Sequence, residues 1–184
     1  MHIITAAHCV YDHKNKHQEN TNKYEIEVGV QDTRDSNSQR IYKIDSILIH
    51  PKYKGRADKN KGIDNDIAII TLERTVESNN FAEPIELLED KDIPATNGLI
   101  VGWGKQSGKP LADPTFILKE AEMPIRSNED CEKMLNTVNN RYKKNRFVNI
   151  RKGHLCAGYD EGGIDGCQVG FKMMQRFSIR SKNA

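Results

Sequence analysis

This sequence predicts an all-β fold of the barrel type. Stretches of strand length recur along it, either alternating apolar and polar residues or continuously apolar. Clusters of Gly, Pro, Asn, Asp and Ser separate them. Helical signals are confined to one short stretch, and 184 residues fit one domain, although barrel domains often use roughly 200–250.

Tyr24-Glu25-Ile26-Glu27-Val28-Gly29-Val30 alternates, as a half-buried strand would. Residues 32–39 form a polar turn; Asp32, Asp35 and Asn37 could offer oxygens to calcium, but such residues are the ordinary ones of a solvated turn. A strand follows from Ile41 to His50, with Ile44, Ile47 and Ile49 apolar and Pro51 as its stop. Residues 52–62 make a basic, glycine-containing loop. Ile67-Ala68-Ile69-Ile70-Thr71-Leu72 is nearly all apolar and predicts a strand buried on both faces. Residues 83–94 read as an irregular crossing. Leu99-Ile100-Val101 runs into the turn Gly102-Trp103-Gly104, and a strand over 117–123 should end at Pro124. Ser127 and the acids Glu129 and Asp130 open a helix expected to reach about Leu135. Arg141, Lys143, Lys144, Arg146, Arg151 and Lys152 make a basic stretch that could be an exosite for an acidic partner but reads more readily as a solvated face.

Composition limits the function. Hydrophobic residues make up 36% and charged residues 29%, polar for a packed domain but not the signature of disorder. The net charge of +2 gives no case for a nucleic-acid partner. No apolar run is long enough to span a membrane, and no signal-peptide pattern follows Met1. Four cysteines allow two disulfides, but none stands in Cys-x-x-Cys or Cys-x-x-His spacing, so no metal and no cofactor is expected.

Four motifs in order resemble those of the trypsin/chymotrypsin-like serine proteases. They are Thr5-Ala6-Ala7-His8-Cys9, Asp64-Asn65-Asp66-Ile67-Ala68, Gly102-Trp103-Gly104, and Cys156-Ala157-Gly158-Tyr159 leading to Asp165-Gly166-Cys167-Gln168. The resemblance covers residues 2–168. It implies two antiparallel six-stranded barrels, here incomplete at both ends, a Cys131–Cys156 disulfide, and a parent secreted from the cell with a protein or peptide substrate. Cys9 and Cys167 would then lack their usual partners. The resemblance divides the chain into a partial protease domain, 1–168, and an unrelated basic tail, 169–184. That tail carries +4, which leaves −2 for the remainder.

The same resemblance implies the chemistry. His8 takes the place of the general base and Asp66 that of the carboxylate orienting it. Asp165 matches the base of the primary specificity pocket, implying preference for Arg or Lys in the substrate. The nucleophilic serine is missing. Where Gly-Asp-Ser is expected, the chain reads Val169-Gly170-Phe171, so Phe171 occupies the serine position and Val169 that of the oxyanion-hole glycine. Ser178 and Ser181 have no glycine elbow to present them.

The family pattern stops abruptly after Gln168, as a frame or splice change would make it stop; every valine codon begins with the GT that opens introns. The expectation is an inactive form of a serine endopeptidase. The competing readings are a pseudo-protease acting as a binding or regulatory module, and an incomplete record of an active extracellular cascade protease. Oligomeric state, natural substrate and pathway are not readable from the residues.

Overall fold

The computed structural model describes residues 1–35, 40–55, 64–77, 81–87, 97–104, 115–142, 150 and 153–161. Among the described residues, ten strands, one α-helix and two short 3-10 turns order the chain. The strands are β1 His2–Thr5, β2 Tyr11–Asp12, β3 His17–Gln18, β4 Ile26–Val28, β5 Arg40–Tyr42, β6 Ile44–Ile49, β7 Ala68–Leu72, β8 Asn97–Gly102, β9 Lys119–Arg126 and β10 Cys156–Ala157. The helix α1, Asn128–Tyr142, lies between β9 and β10.

All pairings among the named strands are antiparallel. They make three-stranded sheets in the orders β1-β7-β6 and β10-β9-β8, and two hairpin pairs, β2-β3 and β4-β5. The fold is thus mostly β, built of several small antiparallel sheets, and no closed barrel is seen among the described residues.

Among the described residues, the main buried cluster comes from the first half. Ala7, Val10, Ile26, Tyr42, Ile44, Ile47, Tyr53, Ala68, Ile70, Leu72 and Val76 pack into one cluster. β6 supplies Ile44 and Ile47, with a register irregularity between Ile44 and Ser46 that lets an i,i+3 pair face the same side. Gly29 closes β4 at φ +76°, and a Cβ there would meet Phe81 Cβ at 3.2 Å, so the position combines a left-handed turn with close approach.

Three expectations need correction. β7 is not buried on both faces: Ala68, Ile70 and Leu72 face the core, while Ile69 is 38% exposed. Its neighbours across the ladder, Ile4 and Leu48, are 50% and 66% exposed, so an apolar rung lies on the outer face. Pro124 does not end its strand. Its carbonyl accepts the Gly158 N–H at 3.0 Å, and beside it β9 passes from pairing with β8 to pairing with β10. The missing proline N–H is tolerated where one ladder gives way to the other. The helix runs to Tyr142 rather than about Leu135. Ser127 caps it, its hydroxyl accepting the Asp130 N–H at 3.1 Å, and the Thr137 hydroxyl donates to the Lys133 carbonyl at 2.9 Å, four residues back.

A short ladder joins the halves. Asp32 bridges Ile117, Leu118 N–H donates to the Gln31 carbonyl at 2.7 Å, and Thr33 N–H donates to the Phe116 carbonyl at 2.9 Å. The indole N–H of Trp103, from the predicted glycine turn, also donates to the Gln31 carbonyl, at 3.3 Å.

Candidate active site

The β1–β7 register creates the site. Thr5 pairs with Ala68 at one end of the ladder. Three residues beyond Thr5 comes His8, and two residues before Ala68 comes Asp66, so both leave the same end of the sheet. A 3-10 turn, Ala7–Cys9, carries His8. Its fully buried Ala7 and the neighbouring Val10, 3% exposed, fasten that turn to the core. Cys9 N–H donates to the Ala6 carbonyl and Val10 N–H to the Ala7 carbonyl, both at 3.1 Å. From outside the turn, the Tyr24 hydroxyl donates to the Cys9 carbonyl at 3.0 Å.

Asp66 reaches His8 from the opposite side. Asn65 turns the chain at φ +55°, a left-handed conformation that Asn tolerates better than most residues. Ile67 N–H closes the turn on the Asn65 carbonyl at 2.8 Å. The Asp66 carboxylate then accepts twice from one residue. His8 backbone N–H donates to Oδ1 at 2.8 Å, and His8 Nδ1 lies 2.7 Å from Oδ2. An ionised carboxylate only accepts, so the shared proton belongs to Nδ1 and Nε2 is the nitrogen left for proton exchange.

The pair is half-buried, with 29% of the His8 side chain and 22% of the Asp66 side chain exposed. The hydrogen bond to Asp66 raises the His8 pKa to about 10, with help from the Cys9 thiol and against the opposing effect of burial. Cys9 itself is a free thiol, partly buried.

Cys131 and Cys156 are disulfide-bonded, with Cα atoms 6.4 Å apart, and tie α1 to β10. Beyond β10, Arg126 holds the chain to β9, donating through Nε to the Gly158 carbonyl at 3.3 Å and through Nη2 to Asp160 at 3.0 Å. The Tyr159 hydroxyl donates to the Glu122 carbonyl at 3.2 Å. Asp165, Cys167, Val169, Gly170 and Phe171 lie outside the described residues.

At the polar turn, Arg34 grips both oxygens of Asp32, at 3.0 and 2.6 Å, and holds that carboxyl at about 2, below its ordinary value. The guanidinium also sits 5.1 Å over the Phe116 ring. That carboxylate therefore already has a cationic partner; Asn37 lies outside the described residues. Among the described residues, no group of three or more His, Cys, Asp and Glu could hold a metal ion, and no helix is long and apolar enough to cross a membrane.

Tyr24, Asn65 and His154 also shape or border the site, and Arg126 fastens the chain beyond β10 to β9; sequence reasoning passed over all four. Only Asn65 carried a usable signal, as an Asn between two acids just before an apolar strand. The roles of the other three depend on contacts between residues distant in the chain.

Antiparallel β-sheets that bring a histidine and an aspartate together at one sheet end define the class of protein: a β-fold with a His–carboxylate pair. Comparison with known proteins narrows it. The trypsin family model matches residues 1–169, and the chain belongs to the trypsin family of serine proteases. Similar proteins include clotting factor G beta subunit of Tachypleus tridentatus, 33% identical over 174 residues, 90% of this chain and 50% of the relative. Trypsin eta of Drosophila melanogaster is 28% identical over 168 residues, 90% of this chain and 55% of the relative. Trypsin of Saccharopolyspora erythraea is 31% identical over 173 residues, 90% of this chain and 62% of the relative. The chain thus spans between half and two thirds of the length of these relatives.

Proposed function

We propose that this chain carries the histidine–carboxylate part of a serine endopeptidase site, from a parent that cleaves peptide bonds after Arg or Lys outside the cell. The observation that carries it is the two-point contact of His8 with Asp66, which fixes the tautomer a general base requires. Family membership supports a protein or peptide substrate and a two-barrel parent fold, and the clotting-factor relative supports an extracellular setting. Asp165 is assigned the specificity pocket on its motif alone.

As the chain stands, we infer no proteolysis. Phe171 holds the serine position, and a phenyl ring has no nucleophilic atom. Val169 replaces the glycine whose backbone N–H should help bind the oxyanion.

A fluorophosphonate probe tests the reading. The purified chain should remain unlabelled and should not hydrolyse fluorogenic Arg or Lys peptides. Labelling above that of heat-denatured protein would overturn the inactive reading and point to a serine that the motif does not identify.

A further inference from the structure

The turn that aims Asp66 carries a second carboxylate, and that one faces a second histidine. His154 Nε2 lies 3.6 Å from Asp64 Oδ1, with 26% and 37% of the two side chains exposed. The partners come from opposite halves of the chain. His154 is two residues from Cys156, which a disulfide ties to α1 and a ladder ties to β9. The turn over 64–67 is held differently. It lies outside the ladder of β7, contains a left-handed Asn65, and is closed by Ile67 N–H on the Asn65 carbonyl and by His50 N–H on the Ile67 carbonyl at 3.1 Å.

We propose that His154 is a positioning residue for the His8–Asp66 pair: by holding Asp64 it fixes the turn from which Asp66 meets His8. The proposal rests on reading His8 and Asp66 as the catalytic pair. A partly exposed ion pair adds little to global stability, so its removal should be tolerated. The 2.7 Å contact one residue beyond the Asp64–Asn65 turn is more sensitive, because hydrogen bonds weaken steeply as distance and angle degrade. Asp64-Asn65-Asp66 thus serves two histidines at once, one from each half, and joins the disulfide-bonded frame to the catalytic pair.

The readout is the ring titration of His8, followed by NMR in the full chain as wild type, His154→Ala and His154→Gln. Among the described residues, Asp66 and Cys9 face the His8 ring and Asp64 faces that of His154. In the wild type His8 should titrate far above 6.5. In His154→Ala its pKa should fall by roughly one unit. His154→Gln, whose amide can reach Asp64 as a donor, should stay near wild type. The sign separates geometry from electrostatics: removing His154 removes at most a like charge, which by itself would raise the His8 value. An unchanged or raised value in a folded His154→Ala chain overturns the proposal. If His154→Ala fails to fold, the same comparison is made with His154→Ser. A wild-type His8 titration that does not respond to Asp66→Asn overturns the catalytic-pair reading and this proposal together, whereas a response to Asp66→Asn with none to His154→Ala overturns the positioning role alone.

Discussion

His8 binds Asp66 through two donors, its backbone N–H to one carboxylate oxygen at 2.8 Å and its ring Nδ1 to the other at 2.7 Å. The backbone contact fixes where the carboxylate sits, and the ring contact fixes which nitrogen carries the proton. Neither would form without the β1–β7 register that places both residues at one end of the sheet.

The pair makes stability depend on pH. The folded pKa of His8, about 10, lies above its unfolded value near 6.5. The native state therefore holds the proton more tightly. The stabilisation is fully present below pH 6.5 and is lost as pH rises from there through about 10. Asp66→Asn should flatten this slope and lower the His8 titration markedly, with the Cys9 thiol still opposing the effect of burial. Chemical denaturation at pH 6 and pH 9.5, with ring titration by NMR, checks both parts.

Restoring the hydroxyl alone should not restore catalysis. On the motif match, Phe171→Ser would supply the missing oxygen, but Val169 would still take the place of the oxyanion glycine and Gly170 that of the aspartate expected before the serine. Losing one oxyanion donor costs ~100-fold to 1,000-fold in rate. The variant should remain unlabelled by fluorophosphonate and inactive on fluorogenic Arg peptides; labelling would mean that the loop adopts the family geometry without its glycine.

Tyr24→Phe removes the hydroxyl that donates to the Cys9 carbonyl and leaves the ring in place. Burial raises the Tyr24 pKa, so the phenol is a proton donor throughout the neutral range. The variant should lose about 1 kcal/mol in urea unfolding, the net value of one such bond. Exchange of the Val10 amide, which closes the His8 turn, should quicken in the same protein.

The site was legible where local motif and tertiary need coincide. Thr5-Ala6-Ala7-His8-Cys9 announces itself because a small, fully buried Ala7 is what lets the turn sit on the core. Asp64 and Asp66 were harder to separate, since each carboxylate faces a histidine in the structure and only the Asn-Asp-Ile-Ala pattern favoured Asp66. His154 was illegible because its partner lies 90 residues away in sequence. The strand pattern placed β4, β6 and β7 but misjudged the faces of β7. A continuous apolar run does not say which face a sheet leaves outside, and Pro124 misled because strand breaking depends on whether its N–H is needed.

The Cys131–Cys156 bond closes a separation of 25 residues. Loop-closure entropy for that length gives ~3 kcal/mol of stabilisation. The Cys131→Ala, Cys156→Ala double variant should lose about that much in chemical denaturation. Its loss should be felt first around β10 and α1, which the bond joins, so amide exchange should rise there before it rises in the β1-β7-β6 sheet.

Adjacent residues of β7 should respond in opposite ways. Ile70 points into the core at 4% exposure and belongs to the cluster with Ile44, Ile47 and Leu72. Ile70→Ala should cost about 2–5 kcal/mol, as deletion of a buried aliphatic side chain generally does. Ile69, on the outer face between Ile4 and Leu48, has far less burial to lose. Ile69→Thr keeps β-branching and strand propensity, so it should change stability by less than about 1 kcal/mol. It should also reduce self-association if the apolar rung drives any, because exposed apolar patches on sheet faces promote contact between molecules. Urea unfolding together with sedimentation velocity separates the cases. A large loss at Ile69, comparable with that at Ile70, would show that the outer face of β7 is covered in the folded chain and would restore the expectation of a strand buried on both sides.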